Sequence, residues 1–294
     1  MLPMKLLDWI DKDKLNWSNL SINKNAINYL RENIENIDWY YLSRNKNAID
    51  ILRENPKKIN WFMLSRNENA IELLKENPEK INWYDLSSNI NAIDILKENP
   101  EKINWSMLSS NEKAIEILRE NQDKIYWLNM SNNREGIEIL RENREKIVWY
   151  YLSRNPNGIK LLRENSDKIV WSILSANENA IKLLKENKEK INWKLLSFNE
   201  NAIELIKDNL QNINWDNLST NSNAIDILKE NQDKINYKYL SLNPSIFSYD
   251  YEKMRNSRLD LKEEIIAKAL HPKRIFRLIE EYGEEEIYEI YLDD

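Results

Sequence analysis

Trp17, Trp39, Trp61, Trp83, Trp105, Trp127, Trp149, Trp171, Trp193 and Trp215 stand 22 residues apart without an insertion or deletion, and Tyr237 takes the next place. A period of this length, held this strictly, constrains the chain to a repeat array. Each unit is too short to enclose a core and must bury its apolar face against its neighbours. The 294 residues are therefore expected to form one quasi-one-dimensional array rather than two globular domains.

Residues 61–82, WFMLSRNENAIELLKENPEKIN, show how one unit is punctuated. Asn67, six places after Trp61, precedes Glu68; the equivalent Asn155 and Asn243 precede Pro156 and Pro244. Pro and Glu suit the first turn of a helix, so this Asn reads as an N-cap. Ala70, Ile71, Leu73 and Leu74 then form one apolar stripe on a helix of about nine residues. Asn77-Pro78 ends it, because Asn tolerates the left-handed conformation and Pro is common just beyond a helix. A competing parse makes Asn77 the N-cap of the next helix with Pro78 in first position. Trp83 and Leu86, three apart, suit a second short helix. Asn82 could cap it, although Val148 and Val170 in the same place show that the cap is dispensable.

The expected fold is thus all-α: an α-solenoid, or superhelix, of eleven 22-residue two-helix repeats over residues 15–244. Its continuous core would be Trp, the Leu three later and the Ile two before. A leucine-rich horseshoe containing β-strands is the alternative, but it needs apolar spacings of three then two. Ile37, Trp39, Leu42 and Asn45 give two, three and three.

An unstacked end exposes core, so both ends are expected to be capped. Residues 1–14 supply Leu6, Leu7, Trp9 and Ile10 for an N-terminal cap. Residues 245–294 read as a C-terminal helical cap with an acidic tail. One helix runs from Leu259 to Leu270; a second starts at His271-Pro272 and ends at Gly283; Glu284, Glu285 and Glu286 then lead into Ile287, Tyr288, Ile290 and Tyr291. His271, the single His, reads as a helix cap rather than a base or metal ligand.

The net charge of −6 is unevenly placed. From Ser245 onward eight Lys/Arg face thirteen Asp/Glu, which leaves −1 for residues 1–244. A sequence-independent nucleic-acid binder needs a cationic surplus, so nucleic acid is disfavoured as a partner, and a modular reader of one base per repeat is the weakest alternative. The absence of Cys removes disulfides and thiolate metal sites. Three glycines make no phosphate cradle, and one His makes no conventional zinc site. The Ser four places after each Trp has no neighbouring base and recurs identically from Ser21 to Ser241, which a nucleophile needed once would not do. The expectation is a non-enzymatic protein without cofactor or metal. No stretch is long enough to span a bilayer and the first residues lack a signal-peptide core, so an intracellular protein with no membrane partner is expected. The Asn-Trp-Ser sequons at Asn16 and Asn104 follow from the repeat itself.

Repeat proteins bind through positions that vary while the frame stays constant. The two residues after each Trp vary most. They are bulkiest where the residue after the invariant Ser is Arg: Tyr40, Tyr41 and Arg44; Phe62, Met63 and Arg66; Tyr150, Tyr151 and Arg154; with Tyr84 beside the second group. Tyr, Phe, Met and Arg are enriched at interface centres. These ten residues are the candidate surface for a protein partner. The structural alternative is that one of the two variable positions packs between repeats.

The unit W-x-x-L-S-x-N-x-N-A-I-x-L-L-K-E-N-P-E-K-I-N and the closing His271-Pro272-Lys273-Arg274-Ile275 resemble the tandem repeat proteins encoded by giant DNA viruses of the mimivirus type. The likeness covers residues 15–244 closely and 271–283 more loosely. The wealth of Asn, Lys, Ile, Glu and Tyr suits an AT-rich coding genome. The resemblance implies a viral protein made in a host cytoplasm and no established activity, and it transfers no functional residues. From the residues themselves the expected role is a protein-binding scaffold or adaptor, with a component of a virus particle or its assembly as the alternative.

Overall fold

In the computed structural model, which describes residues 2–256, 266–268 and 270–283, the 22-residue units become two short α-helices followed by a 3-10 turn, except that the ninth ends in an ordinary turn and the eleventh has a single α-helix. In the third repeat these are Trp61–Ser65, Ile71–Lys75 and Pro78–Lys80. Elsewhere a 3-10 turn also leads into the second helix, as Glu112–Ala114 does before Ile115–Glu120. The all-α repeat solenoid read from the sequence is the architecture found. The first helix starts where Asn60 accepts from Met63 N–H at 3.0 Å. Val148 and Val170 open the same helix with no side-chain cap.

Both readings of Asn77 hold at once. Its backbone N–H bonds Leu74 O and closes the second helix, while Pro78 opens the 3-10 turn. The expected left-handed Asn is not used: among the described residues no non-glycine has positive φ, and Asn77 sits at φ −138°. Instead its Nδ2 reaches back 2.9 Å to Leu73 O and satisfies a carbonyl the helix end would orphan.

The core also differs from the expected one. Leu64, Ala70 and Leu74, with their equivalents, are fully buried, and the Ile two before Trp is buried in most repeats and half-buried in others, such as Ile81 and Ile103. Every Trp of the series is only half-buried. At Trp83, Trp105, Trp171 and Trp215 the indole face takes a lysine from the next repeat boundary: Lys102 lies 4.4 Å from the Trp83 ring and Lys190 4.3 Å from that of Trp171. Trp thus joins the two helices at the rim of the core.

Besides the shared apolar core, a polar ladder ties one repeat to the next. Asn133 Nδ2 donates to Ser109 O and Asn111 O, in the preceding repeat, both at 3.1 Å, and its Oδ1 accepts from Glu135 N–H at 3.0 Å. Ser131 Oγ donates to Trp127 O at 2.7 Å and accepts Val148 N–H, at the start of the following repeat, at 3.0 Å. These Asn and Ser side chains are buried, and each junction repeats the pattern. Outside, the second helices are tied by Arg–Glu pairs such as Arg53–Glu76 at 2.8 Å and Arg119–Glu142 at 3.0 Å. Those pairs are exposed and screened by water, so the buried amide ladder dominates the polar linkage.

The ladder has no end. Asn23 Nδ2, in the first repeat, donates to Ser241 O and Asn243 O, in the eleventh, both at 3.0 Å. Asn16 N–H bonds Ser241 Oγ at 2.8 Å, and Asn25 Nδ2 bonds Pro244 O at 2.9 Å. These are the junction contacts found between consecutive repeats, now made across more than 200 residues of chain. The solenoid Leu6–Phe247 is closed on itself.

Closure uses a composite repeat. The C-terminal side supplies the helix Tyr237–Leu240, Asn243 and the 3-10 turn Pro244–Ile246, and leaves the pattern at Phe247. The N-terminal side supplies the second 3-10 turn, Lys12–Lys14, then Leu15 in place of the buried Ile, then Asn16 as the cap of the first repeat. Lys14 lies 5.3 Å from the Tyr237 ring, where other repeats set Lys on Trp. Leu7 N–H bonds Ile246 O, and Ile10 is buried. Much of the segment expected to shield an open end therefore completes a repeat, because the eleventh repeat covers the face that needed shielding.

The chain divides into this unit, Leu6–Phe247, and a smaller one of Met1–Lys5 with Ser248–Asp294. Strands β1 (Met4–Leu6) and β2 (Phe247–Tyr249) pair in a two-stranded sheet, and Asp250 N–H bonds Pro3 O. In the smaller unit the helix Pro272–Tyr282 is capped as read from the sequence: His271 Nδ1 accepts Lys273 N–H at 3.2 Å, and Gly283 ends it at φ 95°. Most of the Leu259–Leu270 helix and the acidic tail beyond Gly283 lie outside the described residues. Among the described residues no helix is long and apolar enough to cross a membrane.

Candidate functional site

The first helix of each repeat sets out the variable positions. Its Leu and Ser, three and four after Trp, point into the core, which turns the residues one and five after Trp outward. The first variable residue is the exposed one where it is bulky: Tyr40 is 42%, Phe62 43%, Tyr84 52% and Tyr150 50% exposed. The second leans on the preceding repeat. Asn129 Nδ2 donates to Ser106 O and Asn217 Nδ2 to Lys194 O, each 23 residues back. Met63 and Tyr151 are half-buried at the same place, whereas Tyr41 stays partly open with its ring edge-on to Tyr40 at 5.2 Å. One variable position is therefore surface and the other mostly junction.

The candidate residues separate into two groups. Tyr40, Phe62 and Tyr84 occupy equivalent places in three consecutive repeats, while Tyr150, Tyr151 and Arg154 lie three repeats further on. The arginines face a different neighbourhood from the aromatic rings. Arg44 and Arg66 line a cavity of about 430 Å³ to which five successive repeats contribute, from Ile22 to Ser110. Arg154 lines a second of about 550 Å³, again shared by five repeats. Arg134 pairs with Glu178, two repeats away, at 3.1 Å. Side chains two repeats apart can meet only on the concave side of the array. The residues five and seven after each Trp are thus its concave lining.

The lining is electrically divided. Around the first cavity stand Lys24, Arg44, Lys46 and Arg66, with Glu68 as the one lining carboxylate. Around the second stand Glu112, Glu178 and Glu200, with Arg134 and Arg154. Seven places after Trp, a position absent from the candidate surface read from the sequence, supplies Lys24, Lys46 and the three glutamates. Its variability was the available signal, and only the convergence of distant repeats gives that variability a place.

Asp85 stands behind Arg66. It occupies the second variable position, is 1% exposed, and its two carboxylate oxygens accept no hydrogen bond from the described residues. Burial pushes its carboxyl above the ordinary carboxylate value, and Arg66, 3.7 Å away, and Arg44 pull it part of the way back. A carboxyl that holds its proton more tightly folded than unfolded costs stability as pH rises from the unfolded value, 3.8, through the raised folded one. Asn in its place could donate to Phe62 O as Asn129 does to Ser106 O. The Asp85→Asn variant is expected to be more stable than the parent by about 1–2 kcal/mol at pH 7. The gain should shrink as pH falls toward about 4, in urea unfolding curves at several pH values; a pH-independent difference would show that burial of the charge is not its cause.

No known protein family, curated protein or solved structure matches the chain.

Proposed function

We propose that the protein is a non-enzymatic binding scaffold whose closed solenoid presents variable side chains to a protein partner. The supporting observation is the row Tyr40, Phe62 and Tyr84, each more than two-fifths exposed, in three consecutive repeats. The frame residues Leu, Ser, Asn and Ala are buried and nearly invariant, so these aromatics serve no packing need of the repeat. Large rigid rings at regular spacing suit the centre of an interface. The lining beside them carries carboxylates as well as cations, which disfavours a nucleic-acid partner running along it. The reading places the protein as an adaptor.

Replacing Tyr40, Phe62 and Tyr84 together with Ala is expected to abolish formation of a stoichiometric complex with a protein recovered from host-cell extract. The melting temperature should move by no more than a few degrees, since no buried contact is lost. A large fall in melting temperature, or a complex that survives the triple change, would overturn the assignment of this row as the partner surface.

A further inference from the structure

The first cavity gathers cations without enough carboxylate to balance them. Lys24, Arg44, Lys46 and Arg66, from the first three repeats, surround about 430 Å³ with Glu68 alone among them. Lys24 and Arg44 make no ion pair among the described residues, and Lys46 reaches Glu68 only at 3.8 Å. Arg66 faces the buried carboxylate of Asp85 at 3.7 Å without a hydrogen bond between them, so this ion pair leaves the guanidinium donors for the cavity. Like charges brought together on a protein of net charge −6 repel one another unless a counter-charge joins them.

The size and surroundings of the site select the anion. The volume is that of a small-molecule pocket, and two Arg forks with two Lys suit phosphate oxygens. Further round the concave lining stand Glu112, Glu178 and Glu200, and Arg134 there is already taken by Glu112 at 3.7 Å and Glu178 at 3.1 Å. An acidic peptide or nucleic-acid strand long enough to follow the lining would meet those carboxylates. A compact anion would not. We propose that this cavity binds a compact polyphosphate: a small molecule carrying two or more linked phosphate groups. The proposal is independent of the protein-partner reading, because the exposed aromatic row is not part of the cavity lining.

Titration calorimetry of the full chain with inorganic tripolyphosphate, ATP and a single-stranded oligonucleotide tests it. Tripolyphosphate is expected to bind once per chain, more weakly as salt rises. The Arg44→Ala/Lys46→Ala variant, whose side chains are exposed and whose melting curve serves as the folding control, should weaken it by at least about tenfold. ATP binding tighter than tripolyphosphate supports a nucleotide as the natural source; equal affinities support the phosphate chain alone. The Tyr40, Phe62 and Tyr84 triple variant should bind tripolyphosphate unchanged, so the two proposals can fail separately. No binding at about 1 mM, tighter binding of the oligonucleotide, or equal affinity in the double variant overturns the assignment.

Discussion

Replacing Asn155 with Asp is expected to destabilise the protein by about 4 kcal/mol or more at pH 7, one of the largest effects of any single isosteric change in the chain. Asn155 is fully buried. Its Nδ2 donates to Ser131 O at 3.2 Å and to Asn133 O at 2.8 Å, while Oδ1 accepts Asn157 N–H at 3.0 Å. The carboxylate oxygen that takes the place of Nδ2 would face two carbonyl oxygens it can only repel when ionised, and both acceptors would lose their donor. Each orphaned buried group costs about 1–3 kcal/mol, and the unpaired charge adds to that. Asn155→Ala loses the same bonds without adding charge and should cost less, about 3 kcal/mol. The acid form of the Asn155→Asp variant can still donate one bond, so its folded carboxyl is raised and its stability should recover as pH falls. Urea unfolding at neutral pH and at about pH 4.5 measures both effects. A loss under about 1 kcal/mol at pH 7 would mean that the amide ladder does not hold the repeats together.

The period, the two helices of each repeat and the buried Leu stripe are legible in the chain because they are local. Trp83 and Leu86, or Ala70 and Leu74, lie within two turns of one another, and their spacing alone decides which face is buried. The roles of Asn67 and Ser65 are legible only in part. The N-cap contact of Asn67 is local, but its two bonds to Ser43 O and Asn45 O lie 24 and 22 residues away, and no local pattern separates a cap from a cross-link. Invariance in every repeat is the signal that was present: a cap tolerates Ser, Thr or Asp, whereas a double donor with an acceptor beside it requires Asn. The half-buried state of Trp is a similar case. Its size predicts burial, yet a repeat of 22 residues leaves one face of the indole at the rim, where Lys102 and Lys190 cover it. Of the candidate residues, Tyr40, Phe62 and Tyr84 were legible only as members of a variable pair: which of its two positions faces solvent is decided by the preceding repeat, on which Met63 and Tyr151 lean. The split of the concave lining into a cationic and an acidic arc was not, since it arises from residues two and more repeats apart.

Closure is the feature furthest from any local signal, and it makes a quantitative prediction. Asn23→Ala is expected to destabilise the protein as much as Asn133→Ala, by about 2–3 kcal/mol each. Asn23 lies in the first repeat. In an open array its Nδ2 would face solvent or a loose cap, and its loss would cost only the few tenths of a kcal/mol typical of exposed positions. In the closed array it bonds Ser241 O and Asn243 O at 3.0 Å, matching the 3.1 Å bonds of Asn133 to Ser109 O and Asn111 O. An open solenoid frays from its ends, so amide hydrogen exchange should be fastest in its terminal repeats and slowest in the middle. A closed one has no terminal repeat: opening one junction leaves every repeat still packed on at least one neighbour, and protection should be level from Trp17 to Leu240. Weakening the closing junction with Asn23→Ala then converts level protection into a gradient that falls toward the first and eleventh repeats. Asn133→Ala should place the same gradient around the sixth. Exchange measured by mass spectrometry on the parent and both variants reads all three profiles. A parent already frayed at its first and last repeats, together with a negligible cost for Asn23→Ala, would show that the ends of the solenoid do not hold each other.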